Sequence, residues 1–384
     1  MITKIRKESL YYIALTIYMW SATIFTTLNW KPSLQRAFII FGQYGKIVSI
    51  VILLIYLVWE FSRKFVLWDA VGLFAMIAAF ISYRTVYDDT FFMATVFVVC
   101  GMRISKRKAL KCYYKNLIFC MIAILILLFL GLTQNKVYNF SYGTGYSLGT
   151  GHSNNLALLI LNLTLLWVYL NSEKNKYTIA AICIVVSALM WKITVSRTST
   201  ILLATFGIVY FLFYFMLKTN NKFLLHLLRI LILGIICGAI YFMIGGNTES
   251  ILHIGDNNFT VRFLQAQNIY DRYGLSLWGN NIKFVSMAEA AITKEAVVIL
   301  DNGLLRLLLF HGCACFGVFI LGLVSLETSA SRRKDYLLIV ISVIFLITGL
   351  MEKSVYTLQM NFTLLLMTGL GTGISQDEAD KLHD

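Results

Sequence analysis

The sequence predicts an all-α polytopic membrane protein of about twelve transmembrane helices, with one large outer loop carrying an amphipathic helix. Three observations predict it. Of 384 residues, 59% are hydrophobic and only 14% charged, where a soluble domain carries about a quarter charged. Proline occurs once, as Pro32, so the apolar runs read as unbroken helices. Those runs are continuous and approach about 20 residues, unlike the alternating pattern of a membrane barrel.

The expected spans are, in order, Leu10–Leu28, Ile39–Trp59, Val66–Ser82, Thr90–Met102, Leu117–Leu132 and Leu156–Leu170. They continue with Tyr177–Thr194, Thr200–Leu217, Ile230–Gly245, Leu304–Leu326, Tyr336–Met351 and Met360–Ile374. The fourth and twelfth are short. Lys4, Arg6 and Lys7 ahead of the first run imitate a signal peptide. The run lacks a small-residue cleavage site, so it reads as the first membrane helix.

The net charge of +14 reads as topology rather than as affinity for nucleic acid, because the cations cluster between apolar runs. Most of the 33 Lys and Arg fall in one set of loops, most densely at Arg103, Lys106, Arg107, Lys108, Lys111 and Lys115. That side is expected to be cytoplasmic, and with it both termini. The other side then receives Thr133–Asn155, the Val195–Ser199 link and the long stretch Gly246–Leu300. The chain reads as one integral membrane domain over 1–384, with 246–300 as its large extracytoplasmic loop. Within that loop Phe259, Phe263, Ala266, Tyr270 and Tyr273 share one helical face, with Asn258 as a candidate cap. The helix suits either the membrane interface or packing on its own bundle.

Several chemistries are excluded. No GxxxxGK[ST] or HExxH is present, and the Gly-rich segment 141–155 has no phosphate-loop lysine and no preceding strand. Asp377-Glu378-Ala379-Asp380 belongs to an acidic tail without a nucleotide-binding core. The seven cysteines form no framework, and Cys313-x-Cys315 has no second ligand pair. A substrate acted on at the outer face must therefore arrive already activated.

Five polar clusters lie at that face. His152, with Ser153, Asn154 and Asn155, opens the sixth span, either as a base near neutral pH or as part of a helix-capping loop. Arg197, between Ser196 and Thr198, could hold phosphate bidentately or snorkel at a helix flank. Arg262 and Arg272 share the amphipathic helix and suit a pyrophosphate, lipid headgroups or pairing with Asp271. Asp301 and Asn302 open the tenth span one turn before Arg306, so a carboxylate–arginine pair is expected there, lining a cavity or serving structure. His311, deeper in that span, reads as a packed, hydrogen-bonded group. Glu352 precedes the last span, which Asn361 starts.

The order of these motifs resembles the Wzy-type polysaccharide polymerases, in the superfamily that includes the O-antigen ligases. The resemblance rests on Tyr146-Ser147-Leu148-Gly149-Thr150-Gly151-His152-Ser153-Asn154, where Ser153 replaces the family's Pro. It rests further on Ser196-Arg197-Thr198, Thr260-Val261-Arg262, Leu277-Trp278-Gly279, Asp301-Asn302-Gly303, Glu352 and Asn361. It implies a bacterial cytoplasmic membrane enzyme, needing neither cofactor nor metal, that joins undecaprenyl-pyrophosphate-linked oligosaccharides at the outer leaflet. Its implied partners are membrane lipid, a flippase and a chain-length regulator, and no nucleic acid. On that basis Arg197, Arg262 and Arg272 would bind pyrophosphate. His152 would be the acceptor base or orient the acceptor, with Glu352 as the rival base. Asn154, Asp301, Asn302 and Asn361 would orient sugars. A ligase, and a transporter or flippase of lipid-linked glycan, are the competing readings.

Overall fold

The apolar runs fold as helices whose ends are set by polar residues. The structure is a computed structural model that describes residues 2–61, 65, 67–218, 222–246, 257–285, 290, 292–294 and 297–367. Its helices are α1 (Ile2–Trp20), α2 (Pro32–Phe61), α3 (Leu67–Val86), α4 (Thr90–Cys100), α5 (Lys106–Phe129), α6 (Ser153–Leu170) and α7 (Lys176–Thr194). They continue as α8 (Arg197–Lys218), α9 (Lys222–Ile244), α10 (Asn257–Tyr273), α11 (Gly303–Leu309), α12 (Cys313–Arg332) and α13 (Tyr336–Met351). Asn175 caps α7 by accepting from the Tyr177 N–H, and Asp335 caps α13 by accepting from that of Leu338. Among the described residues, eight helices are long and apolar enough to cross a membrane, and α4 and α13 are shorter apolar helices. The protein is thus a mostly helical polytopic membrane protein.

The chain divides into two compact units. The first holds Met1–Val66 and Val96–Asn220; the second holds Leu67–Thr95 and Asn221–Gly369. In the first, Tyr11, Leu15, Tyr18 and Phe97 are buried, and the Tyr11 hydroxyl donates to the Phe97 carbonyl. Polar pairs tie its helices together. Asn162 Nδ2 donates to the Tyr113 hydroxyl at 2.7 Å, and the Trp20 indole donates to Asn116 Oδ1 at 3.0 Å. Such pairs give interhelical specificity where lipid removes most of the hydrophobic drive.

The first unit also contains an element the sequence reading lacked. Val137–Phe140 (β1) and Gly143–Tyr146 (β2) pair antiparallel, with Tyr138 opposite Gly145 and Phe140 opposite Gly143. A strand therefore does precede the glycines of segment 141–155. A Cβ at Gly145 would lie 2.5 Å from the Thr194 carbonyl oxygen. The glycine lets the hairpin lie against the α7–α8 turn.

In the second unit, Ala239 and Met243 of α9, Phe263, Ala266 and Ile269 of α10, and Leu305, Leu308 and Leu309 of α11 form one core. The apolar face of α10 therefore packs on its own bundle rather than lying free at an interface. The helix begins at Asn257, so Asn258 lies inside it and not at its cap; the Phe259 side chain lies outside the described residues.

Two expected spans are corrected. The tenth is not continuous, because it breaks at Phe310–Gly312 between α11 and α12. Leu277-Trp278-Gly279 fills the break. The N–H groups of Cys313 and Ala314 donate to the carbonyls of Ser276 and Leu277, and the Asn280 N–H donates to that of Phe310. Backbone freed inside a membrane must find partners in protein, and this strap supplies them. The contact demands glycine on both sides: Gly279 (φ +102) and Gly312 (φ +95) leave no room for a Cβ. The twelfth expected span starts as two 3-10 turns, Leu358–Met360 and Phe362–Leu366; from residue 368 it lies outside the described residues, as does the acidic tail.

Candidate functional site

The predicted residues divide between the units. His152, Asn154 and Arg197 belong to the first; Arg262, Arg272, Asp301, Asn302, Glu352 and Asn361 belong to the second.

In the first unit His152 is the N-cap of α6. Its Nδ1 accepts from the Asn154 N–H at 3.1 Å, so the neutral ring carries its proton on Nε2. Its carbonyl accepts from the Thr150 hydroxyl at 2.9 Å. The Tyr138 ring lies 4.3 Å away, and the Tyr138 hydroxyl donates to the Gly151 carbonyl. Ser153 is buried, and its hydroxyl has no partner. Arg197 is the first residue of α8, and its guanidinium lies 3.5 Å from the centre of the Tyr142 ring. Arg197 thus adds its charge to the positive end of the helix.

In the second unit the motifs converge on one corner. Asn302 caps α11, its Oδ1 accepting from the Leu305 N–H at 3.0 Å. A Cβ on Gly303 would lie 2.6 Å from the Glu352 carbonyl oxygen, so the start of α11 packs directly on the end of α13. Arg262 Nη2 lies 3.9 Å from Glu352 Oε1, with both side chains mostly buried. Asn361 builds the adjoining turn. Its Nδ2 donates to the Val355 carbonyl at 2.7 Å, and its Oδ1 accepts from the Thr363 N–H and hydroxyl.

The corner is incompletely satisfied. Asn302 Nδ2 and Arg262 Nη1 are buried without hydrogen-bond partners. A buried donor left unmade costs about 1–3 kcal/mol, more for a charged group. At 3.9 Å the Arg262–Glu352 pair is an ion pair but not a hydrogen bond. The guanidinium therefore retains capacity for another anion, such as the oxygens of a phosphate.

Three predicted residues stand apart from this corner's contacts. Arg272 is exposed at the far end of α10; ten helical residues place it about 15 Å along the axis from Arg262, too far for both to hold one pyrophosphate. Asp301 is not the partner of Arg306. That carboxylate is Asp88, at 3.9 Å, between α3 and α4. Asn361 spends both ends of its amide on the local turn.

The Asp88 group is the one sequence reading missed. Arg306 lies over the rings of Phe284 and Phe310 and donates to the Leu300 carbonyl. His311 is buried beside Phe91 and Tyr356, and the Ser82 hydroxyl donates to the His311 carbonyl at 2.8 Å. Burial would raise the Asp88 carboxyl, but His311, the Thr90 hydrogen bonds and Arg306 together hold it below its ordinary value of 3.8. The available signal was the Asp88-Asp89 pair at a helix junction, which a span-by-span search treats as loop. No group of three or more His, Cys, Asp and Glu side chains suited to a metal ion occurs among the described residues.

No protein-family model, no curated protein and no solved structure matches the chain.

Proposed function

We propose that the protein is a membrane glycosyltransferase of the polysaccharide-polymerase type, which joins lipid-pyrophosphate-linked oligosaccharide units at the outer leaflet of a bacterial cytoplasmic membrane. The observation that carries this reading is the Arg262–Glu352 pair, packed beside the start of α11 at Asn302-Gly303, with buried N–H donors of Arg262 and Asn302 unpartnered. The charge bias of the loops supports an outer position for this corner, where ATP is absent and the sugar–pyrophosphate bond must hold the energy.

The chemistry follows from the groups. An acceptor hydroxyl attacks the anomeric carbon of the donor sugar. A new C–O bond forms, the anomeric carbon–oxygen bond to pyrophosphate breaks, and the bond's electron pair leaves on the lipid pyrophosphate. Arg262 stabilises that charge. Glu352 takes the acceptor proton. Drawing the guanidinium toward pyrophosphate weakens its hold on Glu352, which makes the carboxylate a stronger base once donor is bound. His152 is the weaker base candidate, because its Nδ1 is committed to the Asn154 N–H. It suits orientation of an acceptor oxygen, and Arg197 suits a phosphate.

The broken α11–α12 span favours a second reading, a transporter, because discontinuous helices mark many substrate sites. Here, however, the Ser276–Asn280 strap takes up N–H and carbonyl groups at the break, leaving less to coordinate an ion. Reconstitution in liposomes with lipid-linked repeat units separates the readings. A polymerase yields a ladder of lengthening glycans without ATP. Passage of intact substrate with no new glycosidic bond rejects the enzyme reading. Transfer of finished glycan to a different acceptor, without a ladder, marks a ligase.

A further inference from the structure

The first unit carries a groove on α1 that the proposed chemistry leaves unused. Tyr11, Ala14, Leu15 and Tyr18 bury one face of α1 in the bundle. The opposite face carries Ser9, Tyr12, Ile13, Thr16 and Ile17, which line an open groove of about 300 Å³. Helix α5 forms one wall. It runs parallel to α1, because Cys112 meets Tyr12 and Thr16 while Asn116, one turn on, meets Thr16 and Trp20. Two hydrogen bonds fix this wall: Asn116 Nδ2 donates to the Thr16 hydroxyl, and the Trp20 indole donates to Asn116 Oδ1, each at 3.0 Å. Trp20 also stacks on Phe119 at 4.7 Å, which closes that end. On the other flank a Cβ at Gly45 of α2 would lie 3.8 Å from Ile17 Cγ2.

Cations line the α5 wall. Lys108, Lys111 and Lys115 are exposed and follow i, i+3, i+7, a stripe about 10 Å long. Lys108 and Lys115 are the helical neighbours of Cys112, one turn before it and one turn after, so the stripe runs beside the groove. Among the described residues none of the three has an ion-pair partner. Beyond Asn116 the helix is wholly apolar from Leu117 to Phe129, so groove and stripe lie where the membrane interior begins.

We infer that this groove is a binding site for an anionic phospholipid of the cytoplasmic leaflet: the phosphate seats against Lys108, Lys111 and Lys115, and an acyl chain lies along Ile13 and Ile17 toward Trp20. Ser9 and Tyr12 set polar atoms at the headgroup end, and Ile13 and Ile17 set apolar ones beyond it. A partner helix would fill the apolar part but leave the cations unmatched; a lipid phosphate at this depth matches both. The charge bias that orients a membrane protein needs cations in its loops, but no groove beside them.

The test titrates the full chain in neutral detergent with dioleoylphosphatidylglycerol and with dioleoylphosphatidylcholine, and counts bound lipid by native mass spectrometry. Neither lipid carries pyrophosphate or sugar, so the outcome does not depend on glycosyl transfer. Wild type is expected to bind the anionic lipid about tenfold tighter than the zwitterionic one. Lys108→Gln, Lys111→Gln and Lys115→Gln together should bring that ratio below about 2. The matched control, Arg332→Gln, Arg333→Gln and Lys334→Gln together, removes three other exposed cations and should leave the ratio unchanged. Ile13→Trp, at a half-exposed position, fills the groove and should weaken both lipids about fivefold. Should Ile13→Trp lower the melting temperature, Ile13→Gln, which sets a polar amide against the acyl chain, carries the same comparison. Equal binding of the two lipids by wild type overturns the site. So does an equal loss in the control, which leaves only a general surface charge. Wild-type affinity in the Ile13 variants overturns it as well, because the cations would then act without the groove.

Discussion

The two units treat their polar groups differently. In the first, the singled-out side chains are committed: His152 caps α6 and lies tilted against the Tyr138 ring, and Arg197 lies on Tyr142. Among its described residues, the hydroxyls of Ser153, Ser199 and Thr200 are buried without a partner. In the second unit the unpartnered set includes a guanidinium nitrogen of Arg262, the amide of Asn302 and the Nε2 of His311. A hydroxyl left unmade is a modest cost, whereas a charged or amide group is an expensive one that a bound oxygen would relieve. The proposed anion chemistry rests on this second set of groups.

The comparison can be broken by mutation. The largest effect is expected for Glu352→Gln, a loss of about 10³-fold in transfer at unchanged donor affinity, measured by single turnover in proteoliposomes. If His152→Gln cost more than Glu352→Gln, the base would belong to the first unit and the assignment would reverse. Arg262→Lys should lower transfer about 10²-fold, since a point charge cannot reproduce a planar fork. Wild-type turnover in that variant would remove the anion clamp. Asn361→Ala should act on folding rather than on chemistry, because its amide is used within its own turn. A loss of about 1–2 kcal/mol, read as a lower melting temperature in detergent, is expected; a selective fall in transfer with unchanged melting would give Asn361 a substrate role instead.

Smaller effects sharpen the same contrast. The Asp88 carboxyl is lower in the folded state than in the unfolded chain. Its contribution is therefore fully present above the ordinary carboxylate value and is lost as pH falls through the folded one. Melting of the wild type between pH 7 and pH 3 should fall further than that of Asp88→Asn, by about 1 kcal/mol; parallel curves would show that the Arg306 pair adds no stability. Arg272→Ala, at an exposed helix end, should change transfer less than about twofold. A larger loss would bring Arg272 into the anion site.

Much of the fold was legible in the sequence. The ends of α7 and α13 fall on or beside the expected boundaries, because hydropathy and polar caps are local properties. The polar corner was legible only in part. Asn302, Glu352 and Arg262 were named from motif order, but their meeting depends on Gly303 lying against the Glu352 backbone. Asp88 was missed because its partner Arg306 is distant in sequence, and nothing local in either residue announces the pair. The break at Phe310–Gly312 was invisible because the run from Leu304 to Leu326 stays apolar across it, and helix continuity there is decided by the strap rather than by hydropathy.

What the sequence by itself determined is therefore the solvent of this protein: composition and run length dictate helices in a membrane, since backbone groups in lipid must bond within their own segment. What only the tertiary structure decided is where that rule is suspended. The Ser276–Asn280 strap satisfies a broken helix, Gly145 seats a hairpin against the Thr194 turn, and Arg262 is left beside Glu352 with donors unmet. These are contacts between distant segments, and their energies depend on distance and burial that a linear pattern does not contain.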